Sequence, residues 1–288
     1  MSQLSLISTA RKNALVLALA LALSACASRP VPELAVQRYE SAVRNGNDKL
    51  AAGDLPQATI AFAQAEQVAT LYDRRALRMQ ALFALGAVAA LAEQDEVSRQ
   101  AYAQALAEAQ ALDDAHGRGV AWAGLADTMR RSGDNEGALQ HYTLALAPQA
   151  LRADSAERLQ ARMGLALVLH AQGDTPAALD ALGTLEAQAR AASSPLLPGV
   201  LVNQAVVLRE KGDVHTALAK AQEALALDRL QANPAVLAKD LELLGGLYAA
   251  NQSAALARDS WERALRIAQA TGQTKLQARL KQTLTALH

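Results

Sequence analysis

The 288-residue sequence is short of cysteine, of aromatic residues and of net charge. Cys26 is its only cysteine, so no disulfide can form within the chain and packing alone must stabilise the fold. Phe, Tyr and Trp make up 3% of the residues, and basic and acidic residues are equal in number at 28 each. Such a balance offers no clustered positive charge for phosphates, so we expect no nucleic-acid partner.

Long hydrophobic runs are also scarce. Beyond the N-terminus, the longest uncharged apolar run extends from Ala81 to Ala92, which is too short to cross a bilayer. At the N-terminus, Arg11 and Lys12 precede a run of Ala, Leu and Val at 14–23. A positive region followed by an apolar run of this length is typical of a secretory signal peptide.

The next residues indicate lipid attachment. Leu23-Ser24-Ala25-Cys26 resembles the lipobox of bacterial lipoproteins at all four of its positions. The resemblance implies that 1–25 is cleaved as a signal peptide and that the thiol of Cys26 carries a diacylglyceryl group. The alternatives are an ordinary signal peptide with a chance cysteine, or an N-terminal membrane anchor. The lipobox is favoured because the single cysteine of the chain stands at this position.

The residues after Cys26 bear on the destination of the lipoprotein. Ala27 and Ser28 follow it, and the second position therefore lacks the Asp that commonly retains such lipoproteins in the inner membrane. The resemblance implies the periplasmic face of the outer membrane, with the lipid as the only membrane attachment. Residues 26–32 would form the lipidated cysteine and a short tether.

Internal repeats dominate the rest of the chain. A Gly-Asp pair recurs four times, and two further positions complete a series spaced by 40 residues, with one interval of 39. Glycine at such a turn takes the left-handed conformation that ends a helix, and the following Asp can cap the next helix. The six predicted turn positions are Gly53, Glu93, Gly133, Gly173, Gly212 and Gln252.

Other positions repeat in step with these turns. The seventh residue before each turn and the fifth after it are small, which allows two antiparallel helices to approach closely. The ninth residue after the turn is large in most copies and is aromatic in four of them. We expect the aromatic residues, including Trp122, to lie in the core, with none left to stack on bases or sugars. The four aromatics in this repeating position are Phe62, Tyr102, Tyr142 and Trp261.

This pattern resembles the tetratricopeptide repeat (TPR), a helix-turn-helix unit that stacks into a right-handed superhelix. The resemblance covers 33–272 and implies an all-α, TPR-like α-solenoid of six repeats, followed by a capping helix within 273–288. Because the period exceeds the usual 34 residues, we expect helices of about 16–18 residues. An all-helical bundle of unrelated topology is the alternative. The capping helix would pack through Leu276, Leu280, Leu284 and Leu287.

In this family the first helix of each repeat forms the concave wall. Residues ten, six and three positions before each turn would face inward, as an apolar strip with a basic edge that suits an amphipathic or extended protein segment. Phe83 is the one aromatic without a packing position. In the alternative, the longer helices rotate these residues into the interior. The candidate groove residues are Phe83, Met163, Leu167, Val202 and Val206 in the strip, and Arg130, His170 and Arg209 along the edge.

Catalytic motifs are not found in the sequence. It has no G-x-S-x-G elbow, no phosphate-binding glycine loop and no thiol nucleophile other than the lipidated Cys26. Its histidines fall at unrelated repeat positions, without a spacing that places two of them on one helix face for a metal. We therefore expect no enzymatic activity, no metal and no cofactor. The histidines are His116, His141, His170, His215 and His288.

These observations predict a non-enzymatic scaffold, anchored by lipid to the outer membrane, that binds other envelope proteins through its concave groove. Assembly of a pilus or a secretion complex is favoured, because six repeats on a lipid anchor weakly resemble the type IV pilus pilotin lipoproteins. An adaptor for peptidoglycan enzymes and a periplasmic carrier of a small apolar ligand are the alternatives.

Overall fold

The computed structural model describes residues 34–153 and 155–286, so the signal peptide, the lipobox and the tether lie outside the described residues. Within those ranges the regular structure is α-helical throughout, as expected. The contacts discussed below lie within the unit Arg38–His288. The helices are α1 (Leu34–Ala51), α2 (Leu55–Leu71), α3 (Arg75–Leu91), α4 (Asp95–Ala111), α5 (Ala115–Ser132), α6 (Asn135–Ala145), α7 (Ala156–Ala171), α8 (Thr175–Ala191), α9 (Leu197–Lys211), α10 (Val214–Gln231), α11 (Pro234–Ala250), α12 (Ala254–Ala270) and α13 (Thr274–Thr285).

The helices pair into six repeats, with the odd-numbered helices α1 to α11 as first helices and the even-numbered ones as second helices. All six predicted turn positions have a left-handed backbone, with φ between 58° and 95°. The Asp that follows each turn glycine caps the next helix: it accepts a hydrogen bond of 2.9–3.2 Å from the backbone N–H three residues later. The predicted helix boundaries are confirmed at these turns.

Helix α6 departs from the expected length, because it ends at Ala145 after 11 residues. The cause is Pro148, which has no N–H to donate and whose ring would clash with the carbonyl group of Leu144 in a continued helix. Leu151 then folds back into the core and is 1% exposed. Gly119 of α5 makes room for it, since a Cβ there would lie 3.0 Å from the Leu151 side chain.

Large side chains of the second helices pack against small residues of the first helices. Tyr102 lies between Gly86 of its own repeat and Gly124 of the next one, and a Cβ on Gly124 would come within 2.5 Å of the ring. Trp261 packs against Gly245 in the same way. The fifth residue after the turn is 0% exposed in all six copies. The packing positions read from the repeat are therefore confirmed.

The row of first helices lies on the inner side of the array. Neighbouring first helices contact one another directly from α3 to α11, whereas neighbouring second helices make no comparable contact in the described part of the chain. Because the first helices are more closely spaced, the array curves towards them. Helix α13 follows as the expected capping helix, with Leu276 and Leu280 each 1% exposed in the core shared with α12.

The last repeat returns to contact the first, which the sequence analysis did not predict. Ala235 of α11 is buried in one cluster with Leu55 of α2. At the first turn, a Cβ on Gly53 would lie 2.8 Å from Cγ2 of Thr271 and 3.4 Å from Pro234. We call this region, formed by Gly53 and Leu55 on one side and Pro234, Ala235 and Thr271 on the other, the closure contact.

Candidate binding wall

Three residues of the predicted apolar strip lie on two neighbouring first helices. Leu167 of α7 and Val206 of α9 occupy the same position in consecutive repeats, on two first helices that contact each other. Val202 lies one helical turn before Val206 on the same face. All three side chains are partly exposed. We call Leu167, Val202 and Val206 the binding wall.

The other two members of the strip lie deeper than predicted. Met163 is 7% exposed and belongs to the core cluster of Leu182 and Leu185 in α8. Its unbranched side chain reaches into the space left by Gly199, where a Cβ would lie 3.9 Å from the Met163 methyl group. Phe83 is partly buried and packs against the core cluster of α3 and α4, so it is not a spare aromatic.

Arg130, the first residue of the predicted edge, is held by its own repeat. Its Nη2 lies 3.3 Å from Oδ1 of Asp127, and the Tyr142 hydroxyl donates a hydrogen bond of 2.6 Å to the same oxygen. Burial opposes the charge of Arg130, but Asp127 and Tyr142 outweigh it and raise the pKa of the guanidinium. Burial, followed by the charge of Asp127, raises the pKa of Tyr142.

His170 and Arg209, the other two edge residues, share the carboxylate of Glu210. His170 Nε2 lies 2.8 Å from Glu210 Oε2, and Arg209 Nη2 lies 3.7 Å from Glu210 Oε1. The second imidazole nitrogen, Nδ1, lies 2.9 Å from the hydroxyl of Thr175. Glu210 escaped the sequence analysis because it falls outside the three inward positions that were considered.

The edge is therefore balanced in charge, which corrects the prediction of a basic edge. Each of its two arginines has a carboxylate within 4 Å, from Asp127 and from Glu210. Spacing along the chain shows which residues share a helix face, but it does not show which side chains of neighbouring helices neutralise them. The wall thus presents apolar side chains beside paired charges rather than beside a positive field.

Not all of the aromatic residues are core, contrary to the prediction. Trp122 is only partly buried against the cluster around Tyr142, and Tyr72 is 37% exposed, with its hydroxyl accepting a hydrogen bond of 3.0 Å from Arg38.

No group of three or more His, Cys, Asp or Glu residues is placed to hold a metal ion within the described ranges. None of the described helices combines the length and the hydrophobicity that a membrane span requires.

No protein-family model matches the chain, and the comparison with curated proteins gives no match. Solved structures do match. NprR in complex with its cognate peptide NprX is 13% identical and covers 96% of this chain and 78% of that chain, with a TM-score of 0.65. A Rap protein complexed with competence and sporulation factor is 15% identical and covers 88% of this chain and 76% of that chain, with a TM-score of 0.64. The fold is a TPR-like solenoid.

At these identities the likeness establishes the fold of the solenoid alone. PilF of Pseudomonas aeruginosa is 16% identical, and the match covers 86% of this chain and all of that chain with a TM-score of 0.46. Structural similarity at this level does not support a pilus role. The apo form of RapI, 10% identical over 90% of this chain and 92% of that chain, has a TM-score of 0.64.

The TPR-like solenoid also contains charged residues that the sequence analysis missed, beside the closure contact. Arg279 of α13 donates hydrogen bonds to Glu93 at 2.5 and 3.1 Å and to Glu242 at 3.0 and 3.1 Å. Lys239 lies 3.7 Å from Glu93. Burial opposes the charge of Glu93, but Arg279 and Lys239 outweigh it and lower its pKa. These groups tie the turn of the second repeat to the last repeat and its cap.

One signal in the sequence could have pointed to this network. Glu93 interrupts the series of turn glycines, although its backbone is left-handed with φ 58°, a conformation that disfavours a side chain. The sequence shows that Glu stands where glycine is favoured, but 186 residues separate Glu93 from its partner Arg279. No spacing rule connects positions so far apart.

Proposed function

We propose that this chain is a non-enzymatic protein-binding scaffold, held by lipid on Cys26 at the periplasmic face of the outer membrane. It would use the binding wall to assemble or hold a complex of the cell envelope, with pilus or secretion machinery as the favoured case. The observation that carries the proposal is the set of partly exposed apolar side chains on the inner row of a TPR-like solenoid.

The chemistry of the wall favours an extended or amphipathic protein segment. Leu167, Val202 and Val206 offer apolar contact area, while paired charges beside them supply polar groups at the rim, an arrangement common in protein interfaces. Two of the similar solved structures, NprR and the Rap protein, are complexes with a peptide and with competence and sporulation factor. These complexes support a protein segment as the ligand class.

The wall can be tested by a photo-activated cross-linker placed at Val202 in living cells. We expect it to capture an envelope protein, and we expect Val206→Glu to reduce capture by about 30-fold, because the loss of a hot-spot side chain costs about 2 kcal/mol or more. Leu256→Glu is the matched control, since Leu256 is 51% exposed on the second helix α12. Circular dichroism would verify that both variants fold.

Equal capture by the two variants would exclude the wall as the binding surface. Capture of a peptidoglycan enzyme would favour the adaptor role over pilus or secretion assembly. A small molecule that co-purifies in native mass spectrometry and is displaced by Val206→Glu would favour the carrier of an apolar ligand.

The lipid anchor has a separate test. In the intact chain, mass analysis of the mature N-terminus should show cleavage before Cys26 and acyl chains on it. Cys26→Ser removes the thiol that accepts the lipid, so we expect nearly all of the protein to leave the membrane fraction or to remain uncleaved. Ser28→Ala, two residues away, should be processed normally. Membrane retention and normal processing of Cys26→Ser would exclude lipidation.

A further inference from the structure

The junction between the fifth and sixth repeats contains a buried pair of acids, Asp228 of α10 and Asp240 of α11. They stand sixteen residues after one turn and twelve before the next. At the other junctions with a full-length second helix, these two positions hold buried apolar residues. The equivalent pairs are Ala69 with Ala81, Ala109 with Ala121, Ala189 with Val200, and, at the cap, Ala268 with Leu280. The repeat itself therefore does not require acids here.

The geometry of the pair does not accommodate two negative charges. Asp228 is 6% exposed and Asp240 is 3% exposed, and their carboxyl groups lie within hydrogen-bonding reach of each other. Oδ2 of Asp240 is buried without a hydrogen-bond partner. Two buried carboxylates in contact repel, and one of them retains a proton to donate to the other. Burial, followed by the charge of Asp228, raises the pKa of Asp240 to about 8.

No neighbouring charge relieves this repulsion in the described part of the chain. Helix α9 has no charged residue in its first half, 197–204, and Arg263 of α12 is paired with Asp259 at 3.1 Å. Helix α2 meets α11 through apolar residues. On α11 itself, Lys239 and Glu242 are engaged with the network of Glu93 and Arg279. On α10, Arg229 is exposed. Asp228 and Asp240 face each other alone.

Helix α11 also carries the closure contact. Pro234 and Ala235 at its start pack against the first repeat, and Lys239, adjacent to Asp240, lies 3.7 Å from Glu93. One face of this helix is thus attached to α10 through the acid pair, and another meets the first and second repeats. Whatever moves α11 relative to α10 disturbs the closure contact as well.

We propose that the proton shared by Asp228 and Asp240 is a switch that holds α11 against α10 and thereby keeps the last repeat closed on the first. Loss of this proton at alkaline pH leaves two carboxylates in one buried site, pushes α11 away from α10 and loosens the closure contact. The switch does not depend on which partner the wall binds, so it can succeed or fail independently of the proposed function.

The sign of the pH dependence follows from linkage. Between the ordinary pKa of an aspartate near 4 and the raised pKa near 8, the folded chain binds one more proton than the unfolded chain, so stability falls as pH rises. One extra proton changes the folding equilibrium constant up to tenfold per pH unit. Below this window both states are protonated, and above it both are ionised, so the contribution of the pair becomes constant.

The experiment compares the native chain with the double variant Asp228→Ala, Asp240→Ala, which recreates the alanine pairs of other junctions. Urea unfolding from pH 5 to 9 should show the folding constant of the native chain falling up to tenfold per unit relative to the double variant. Asp180→Ala, at an exposed position of α8, is the control and should follow the native profile. Parallel profiles for the native chain and the double variant would overturn the proposal.

Hydrogen exchange tests the second half of the proposal. At pH 9 the amides of α11 and of 53–58 should exchange at least tenfold faster in the native chain than in the double variant, and at pH 6 this excess should disappear. Unchanged exchange in these segments at pH 9 would show that the proton does not control closure. If the double variant fails to fold, Asp240→Asn, which keeps a donor towards Asp228 without a titratable group, replaces it in both measurements.

Discussion

Gly124→Ala is expected to lower the free energy of unfolding by about 1–3 kcal/mol, the range found for overpacked cores. The added Cβ would lie 2.5 Å from three atoms of the Tyr102 ring. The ring has no room to retreat, because a Cβ on Gly86, at its other side, would already lie 2.9 Å from it. The first helices of the second and third repeats would therefore have to separate. Urea unfolding followed by circular dichroism would measure the loss.

Gly183→Ala is the matched control for this substitution. Gly183 lies in the interior of α8 with nothing within 4 Å of an added Cβ. The same substitution should there raise stability by about 0.5–1 kcal/mol, since alanine loses less backbone entropy than glycine in a helix. If Gly124→Ala lowered stability by no more than Gly183→Ala changes it, the two first helices could separate without loss of stability. That result would contradict the tight packing of Tyr102.

Trp261→Ala should destabilise the chain by about 3–5 kcal/mol, the cost of removing a large side chain from a core. Trp261 is 7% exposed, its ring packs against Gly245, and its Nε1 donates a hydrogen bond of 3.2 Å to the backbone oxygen of Glu242. The substitution leaves a cavity between α11 and α12 and removes that donor. The shift of the urea midpoint at constant slope would give the loss of stability.

Trp122→Ala provides the contrast, because it removes the same side chain from a partly exposed position. Trp122 packs against the cluster around Tyr142 without being enclosed by it. We expect a loss of about 1–2 kcal/mol, since less apolar area returns to water and solvent fills the vacated space. Equal losses of stability in the two variants would contradict this expectation. They would show that the greater burial of Trp261 does not make it more important for stability than Trp122.

The residues of the binding wall show how far a repeating sequence pattern predicts an exposed surface. The period of 40 residues placed Leu167 and Val206 at one position of consecutive first helices, and those two helices contact each other in the structure. The same pattern also selected Met163, which lies in the core because its flexible side chain reaches the gap beside Gly199. Equivalence along the chain identifies a helix face, whereas exposure depends on the neighbour that each side chain meets.

The local chemistry of the chain by itself determined its helices and their pairing. A left-handed glycine and a capping aspartate act within four residues of each turn, so Gly133 and Asp134 end one helix and start the next regardless of the rest of the protein. Small residues opposite large ones in each repeat, such as Gly86 beneath Tyr102, likewise determine how two successive helices pack.

The tertiary structure alone decided which charges are paired and where the two ends of the array meet. Glu210 contacts His170 of the preceding repeat, and Glu93 binds Arg279 across 186 residues. Such contacts depend on the rotation between successive repeats. Each junction contributes its own rotation, and the junctions with the shortened α6 and with the acid pair on α10 and α11 differ from the others. A repeating pattern describes one junction well, but the position of the last helix over the first repeats is the sum of all of them.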